Sequence, residues 1–426
     1  MQGTLTEKVN GKPMHRVRDR SGTPQERPAT RSRADSPTQS PKAAQDTHQQ
    51  RSARSRKCLK RPTIKTHMMN RNTTKFQPGQ GAQTNPHNRF HRQSYEVSDA
   101  FLDYLVAEGE EQKRKTKVIE IHPKTIVNAV KSPDVPMQWS LNPYQGCEHG
   151  CTYCYARNSH EYWGYSAGID FERVLLVKRN APALLEATLK QRSWKGDPVV
   201  LSGNTDCYQP IERQFGITRK LLEVFWKFKH PVGIITKNAL VQRDIDLLGP
   251  MAEKNLAHVV LSITTLDDDL RRKMEPRTAS VKKRLETVEA LSAAGIPVTV
   301  MMAPIVPGLN AHEIFNLLKA VKKAGARDVS YTLVRLNGQV ADIFSDWVRQ
   351  TFPDRAERVL NQIRSVHGGS LQANAFGRRM RGSGKVALHI KDTFSLARQR
   401  VFGMPDKLQL NRELYQQYRV PQLRLF

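Results

Sequence analysis

NPYQGCEHGCTYCYAR, residues 142–157, sets Cys147, Cys151 and Cys154 in one run with the spacing C-x3-C-x2-C. They are three of the five cysteines in a chain of 426 residues. Three thiolates this close can wrap one small inorganic centre. A structural zinc ion is one candidate, with His149 or a distant cysteine as fourth ligand; such sites are normally closed, four-coordinate and built from two ligand pairs. The other cysteines, Cys58 and Cys207, offer no second pair. A disulfide fits less well, because five is an odd number and the cysteines are not spread as a disulfide framework. A [4Fe–4S] cluster is the other candidate. It has four corners and usually takes four cysteines, so three would leave one iron open to an exogenous ligand.

Outward from this run the chain alternates strand and helix. ERVLLVKR, PVVLSGNTD, VGIITKN, HVVLSITT, IPVTVMMAPI and VSYTLVRL read as strands. The segments between them, such as APALLEATLKQR, TRKLLEVFWKFKH and AHEIFNLLKAVKKAGA, read as helices. SVKKRLETVEALSAAG has Ser280 as N-cap and Gly295 as stop. Pro250 is expected to break the helix RDIDLLGPMAEKN. The strands are short, continuous and rich in Val and Ile, as in sheets buried on both faces. Such alternation implies a parallel sheet of right-handed βαβ units. Six or seven units fit between residues 136 and 340, fewer than the eight of a closed barrel. A partial barrel and an open doubly wound sheet both fit.

Charge divides the chain differently. The net charge is +28, and residues 1–95 carry 20 Lys+Arg against 5 Asp+Glu, or +15 of it. Residues 1–75 contain no Phe, Tyr or Trp. Such a segment buries too little apolar surface to offset its ordering entropy. The expected organisation is a disordered Arg-rich tail over 1–95, and a lead-in helix (Ser98 as N-cap) and strand over 96–135. An α/β domain follows over 136–340, then a mainly helical region over 341–426. The tail suits a polyanion or is simply a solvated tail. No apolar run reaches the ~18–20 residues of a membrane span, and no secretory signal is evident, so a cytoplasmic location is expected.

The cysteine run, with Tyr153 just before its last cysteine, resembles the radical SAM superfamily. SGNTDCYQPIER, GIITKN, LSITTLD, EPRTAS and GIPV…PIVPGLN are similar to its spore photoproduct lyase-like branch, and within it to a bacterial group described as DNA-repair-photolyase-like. The resemblance is strong over residues 115–340, looser beyond, and absent from the tail. It implies a partial (β/α)6 TIM-like barrel with the cysteine loop after its first strand. It also implies a [4Fe–4S] cluster on Cys147, Cys151 and Cys154 whose open iron is chelated by S-adenosylmethionine, reductive cleavage to a 5′-deoxyadenosyl radical, and an electron donor such as flavodoxin or ferredoxin. The cofactor carries the hard chemistry and the protein binds and orients.

The resemblance assigns further roles. Tyr153 would pack beside cluster and adenine, or simply pack its loop. Asn204, Thr205 and Asp206, after a strand, would meet the methionyl amino group. Lys237 would hold the carboxylate, with Ser262 and Thr264 near the ribose. Arg277 would pair with a carboxylate or anchor a loop. Ile305 and Val306 would bed the adenine or belong to the core. In the lyase a cysteine near this strand end donates a hydrogen atom. Cys207 lies a few residues off, with Gly203 where that donor is expected, so Cys207 is a structural or a catalytic thiol. Cys58 is read as an unpaired thiol of the tail.

QLRLF, Gln422–Phe426, resembles the sliding-clamp-binding peptide of bacteria; the alternative is a C-terminal hook docked on the protein. Three functions are consistent with all this. One is a radical SAM enzyme acting on nucleic acid, such as a DNA lesion. Another is such an enzyme acting on a peptide, cofactor or small metabolite. The third is a non-enzymatic, metal-stabilised nucleic-acid-binding module.

Overall fold

Val- and Ile-rich runs become strands because β-branched side chains pack well on a pleated surface. The computed structural model describes residues 77, 79–90, 116–372 and 376–419, all within one unit, Asn72–Phe426. The basic tail before residue 77, the Ser98 helix, Cys58 and Gln422–Phe426 lie outside the described residues. In chain order the strands are β1 (Lys117–Glu120), β2 (Val127–Ala129), β3 (Trp139–Leu141), β4 (Tyr144–Gln145), β5 (Val174–Val177), β6 (Val199–Leu201), β7 (Val232–Thr236), β8 (Ala257–Ser262), β9 (Val298–Ile305) and β10 (Asp328–Leu333). The main sheet runs β10-β9-β8-β7-β6-β3-β2. Its six strands from β3 to β10 are parallel, and β2 caps one edge antiparallel to β3. The crossovers carry α1 (Ala181–Lys190), α2 (Ile217–Lys227), α3 (Ile245–Glu253), α4 (Val281–Ala293) and α5 (Ile314–Lys323). This is a partial (β/α)6 barrel.

Two expectations about the elements change. The VLLV run is not a barrel strand: β5 pairs with β1 and β4 in a separate three-stranded sheet. The opening barrel strand is β3, Trp139-Ser140-Leu141, too short and too polar in its centre to carry a β-branched signal. Pro250 does not break α3, which continues to Glu253. Ser280 caps α4 as expected, its Oγ accepting from Lys283 N–H at 3.3 Å, and Gly295 follows the helix with φ +72°.

The strands are dry on one face only. In β9, Val298, Val300 and Met302 point outward into the helices and are 1% exposed. Thr299, Met301 and Ala303, on the other face, stay partly exposed. The partly exposed residues of neighbouring strands, among them Val200, Ile235, His258 and Val260, line the same space. An eight-stranded barrel fills its interior with side chains; this six-stranded one encloses a lumen of about 800 Å³.

After β10 the chain is helical as expected: α6 (Val340–Thr351), α7 (Ala356–Val366), α8 (Gly384–Phe402) and α9 (Glu413–Arg419). The basic loop 376–381 lies along the β10 edge, where Leu333 N–H donates to Met380 O at 2.9 Å. It reaches across to the β2 side, where the Arg379 guanidinium meets Asp134 at 2.5 Å and Ser132 Oγ at 2.6 Å. The open flank of the barrel is thereby bridged. Leu408 and Leu410 line the far end of the lumen, with Arg412 ion-paired to Asp197.

Two fully buried histidines make this fold acid-sensitive. His230 accepts from Trp194 Nε1–H at 2.9 Å, and its other ring nitrogen lies 2.9 Å from Pro231 O. His160 packs against the rings of Tyr165 and Phe171. Burial lowers their pKa values to about 3 and about 4. The unfolded chain, with histidine near ~6.5, binds more protons below that pH. Their contribution to stability is therefore complete above about pH 6.5 and is lost as pH falls toward 4, at about 1.4 kcal/mol per pH unit for each histidine. Urea midpoints should fall steeply as pH drops from about 6 to 4.5, with a shallower fall in His230→Gln; a midpoint level over that range contradicts this.

Candidate cofactor site

The cysteine loop leaves β4 through Gly146 and is tied to the fold by its backbone. Cys147 N–H donates to Phe171 O at 2.8 Å and Thr152 N–H to Met274 O at 3.0 Å. Cys147 and Cys151 are 7% and 6% exposed; Cys154 is partly exposed and lines the lumen. All three thiols are free. Burial pushes the Cys151 and Cys154 thiols up, and the Lys237 ammonium nearby pulls both down only in part. Two thiols that resist ionisation suit a centre that binds thiolate and so takes over the charge. Among the described residues no three His, Cys, Asp or Glu groups are close enough to hold a single metal ion. Three corners of a four-iron cube stand farther apart than the donors around one ion. His149 is engaged elsewhere. Its Nδ1 is 3.4 Å from Asp206 and its Nε2 3.2 Å from Asn238 Nδ2. Burial works to lower its pKa, but Asp206 and Cys147 outweigh this and hold it at about 9.

Beneath the loop sits a buried carboxylate. Glu172 accepts from Arg157 at 2.6 Å, Arg277 at 2.8 Å, Ala82 N–H at 2.8 Å and Gly81 N–H at 3.3 Å. Arg157, itself fully buried, also donates from Nε to Cys151 O at 2.9 Å. Residues 79–90 thus form a strap over the cysteine loop. Ala82 and Asn88 are buried, and Asn88 Nδ2 donates to Glu161 O at 2.9 Å. Gly81 lies against Gly150 so closely that a Cβ would fall 1.6 Å from Gly150 O. This corrects the expected tail, drawn as disordered to residue 95. GQGAQTNPHNRF has the composition of a loop, and what orders it is the distant Glu172.

The lumen wall nearest Cys154 carries Tyr153, Asn204, Asp206, Lys237 and Ser262, five of the residues singled out from the sequence. Tyr153 OH donates to Glu275, which also accepts from Thr264 Oγ1 at 3.0 Å and Arg284 at 2.5 Å. Asp206 accepts from Thr236 Oγ1, Lys237 N–H and Tyr208 N–H at 2.8–2.9 Å, which locks the strand-end loop. Burial works against the charge on Lys237, but Cys151, Glu275, Cys154 and Asp206 outweigh it, so its pKa is raised and it stays an ammonium.

The other candidates lie elsewhere. Thr205 is buried and donates to Tyr144 O at 2.6 Å; Thr264 is spent on Glu275. Arg277 is paired with the buried Glu172 carboxylate at 2.8 Å. Ile305 and Val306 are 0% exposed core residues away from the lumen lining, where Ala303 and Pro304 appear instead. Cys207 is also 0% exposed, packed in the core with its thiol pushed up by burial. It does not line the lumen. The sequence reading missed Tyr155, Ser202 and Arg335, which do line it. Ser202 has φ +70°, a local strain that sequence does not display.

Residues 141–339 match the radical SAM superfamily. An uncharacterised protein of Mycobacterium bovis is 32% identical over 56% of this chain and 71% of its own length. One of Methanocaldococcus jannaschii is 29% identical over 58% and 88%. A spore photoproduct lyase mutant with bound AdoMet and dinucleoside spore photoproduct superposes with TM-score 0.52 at 15% identity, over 74% of this chain and 86% of the lyase. The chain belongs to the radical SAM superfamily. Within it, the fold is that of spore photoproduct lyase. Its cofactors are those of the superfamily, a [4Fe–4S] cluster and S-adenosylmethionine. Among the described residues no helix is long and apolar enough to cross a membrane.

Proposed function

We propose that Cys147, Cys151 and Cys154 hold the [4Fe–4S] cluster, that S-adenosylmethionine is cleaved reductively in the lumen, and that the substrate is nucleic acid. The observation carrying this reading is convergence: Cys154, Asn204, Asp206, Lys237 and Ser262 come from four separate chain segments to one end of one cavity. When bound, the two cofactors supply a 5′-deoxyadenosyl radical able to remove an unactivated hydrogen. Lys237 provides the cation for a carboxylate, Asn204 the polar group for an amine, and Ser262 a hydroxyl for the ribose. Asp206 keeps that loop and His149 in place. The nucleic-acid part is supported by the net charge of +28 and by the dinucleoside bound in the structurally similar lyase. The buried Cys207 favours a different hydrogen-donor arrangement from the lyase's. A cytoplasmic setting, a flavodoxin- or ferredoxin-type donor and clamp docking through Gln422–Phe426 belong to the same proposal. The bridged flank of the barrel favours the second reading, a small metabolite, cofactor or peptide.

The test is anaerobic reconstitution, with EPR spectra recorded with and without S-adenosylmethionine and 5′-deoxyadenosine assayed in the same samples. A reduced-cluster signal perturbed by S-adenosylmethionine is expected, with nucleoside formed and both lost in Cys151→Ala. A signal indifferent to S-adenosylmethionine contradicts the proposal.

A further inference from the structure

Arg335 stands two residues beyond the end of β10, in the lumen wall. Its guanidinium carbon lies 4.7 Å from the centre of the Tyr155 ring. Tyr155 is itself 42% exposed and fixed by its OH, which donates to Gly203 O at 2.6 Å. Arg335 is partly buried, which lowers its pKa, yet among the described residues its side chain makes no hydrogen bond or ion pair. The contrast with its surroundings is sharp. Arg157, Arg277 and Arg284 pair with carboxylates, and the neighbouring Arg379 is spent on Asp134. Arg381 is exposed, but it too lines the lumen and lies 4.4 Å from the centre of the Tyr331 ring, and its side chain makes no hydrogen bond or ion pair among the described residues.

Withdrawing a guanidinium from water without a partner is unfavourable. Stacking on an aromatic face recovers part of this and leaves the N–H edge free, the geometry that grips phosphate in bidentate fashion. An exposed tyrosine beside it offers a face on which a base can stack. The Lys237 ammonium is separately committed among Cys151, Glu275, Cys154 and Asp206, so the lumen has two cationic positions of different kinds.

We propose that Arg335 and Arg381, each backed by an aromatic ring, form a phosphate subsite for a nucleotide unit whose base enters the lumen against Tyr155. This deepens the nucleic-acid reading above and rests on it. The subsite recognises a nucleotide by its phosphate and flat base, whether the nucleotide is free or part of a strand.

The test uses the full reconstituted protein and a fluorescein-labelled dT oligomer, followed by anisotropy across a salt series. The basic tail contributes equally to every variant, so differences report the subsite. In Arg335→Gln/Arg381→Gln, affinity should fall about tenfold or more, and the slope of log K against log salt should become shallower by roughly 0.7 for one phosphate no longer neutralised. Arg335→Lys should restore part of the slope but less of the affinity, because a point charge replaces the fork. Competition by thymidine 5′-monophosphate at matched phosphate concentration assigns a free nucleotide; displacement by unlabelled oligomer alone assigns a strand. The S-adenosylmethionine-induced EPR change should be that of wild type in the double variant, and its loss would reassign these arginines to the cofactor and overturn the subsite. If wild-type protein binds no oligomer, the nucleic-acid reading itself fails. If wild type binds and the double variant keeps both affinity and slope, only the subsite fails.

Discussion

Glu172→Ala is expected to destabilise the protein by about 3–5 kcal/mol and to leave it unable to retain iron. Glu172 is fully buried and is shared by Arg157, Arg277 and two backbone N–H groups of the strap. Removing the carboxylate leaves the Arg157 charge in the interior with only carbonyls around it. It also releases the strap from the loop that carries Cys147, Cys151 and Cys154. For a chain this long the melting temperature should drop by roughly 5 °C or more. Iron per chain after reconstitution should fall to a small fraction of wild type. Glu172→Gln keeps an acceptor but loses the charge and should fall between. Deletion isolates the strap's share: removing residues 1–76 spares it and should leave iron content unchanged, whereas removal through residue 90 should reproduce the Glu172→Ala loss. Full iron retention after the longer deletion would sink the supporting role given to the strap.

Lys237→Met should act on the cofactor and not on the fold. Lys237 is the cation beside Cys151 and Cys154, and it lines the lumen with Asn204 and Ser262. Truncating one member of a desolvated charge pair costs about 2–5 kcal/mol of binding, so S-adenosylmethionine affinity, read from an EPR titration, should fall at least ~30-fold. Iron content should stay near wild type. An unchanged titration midpoint would return Lys237 to the status of a solvated strand-end lysine. Loss of iron with unchanged affinity would make it a partner of the thiolates alone.

How far these residues could be read in advance depended on whether their signal was local. The cysteine spacing is local, and so are the Val/Ile runs of β7, β8 and β9, the Ser280 cap and the Gly295 stop. Residues at strand ends were locatable because a parallel sheet gathers those ends, and Asn204, Asp206, Lys237 and Ser262 do meet there. What escaped was non-local. Whether VLLV joins the barrel or a side sheet is settled by its pairing with β1 and β4, which periodicity does not encode. Ile305 and Val306 follow the inward-facing Met301 and Ala303 at the strand end, where alternation alone cannot say which face turns to the core. His258, Ser330 and Thr332 hinted at a hollow interior, small or polar positions within apolar runs, but single residues of this kind are hard to weigh without a sheet to place them on. Arg335 is anonymous in sequence. Its interest comes only from lacking the carboxylate that Arg157, Arg277 and Arg284 have.

The strap is made before its dock exists. Residues 79–90 emerge from the ribosome well ahead of the surfaces they cover. These include Glu161 and Glu172, and also Gln339, whose side-chain amide donates to His87 O at 3.1 Å. At about 5–20 residues per second, the roughly 250 residues separating His87 from Gln339 take on the order of 12–50 s to synthesise. Over the last roughly 185 residues of that stretch, from Cys154 on and so for on the order of 9–37 s, the three thiols are already present while their cover is not yet fully seated. Translation order thus gives cluster delivery an opening that the finished fold closes, and chains refolded all at once in the absence of iron have no such interval.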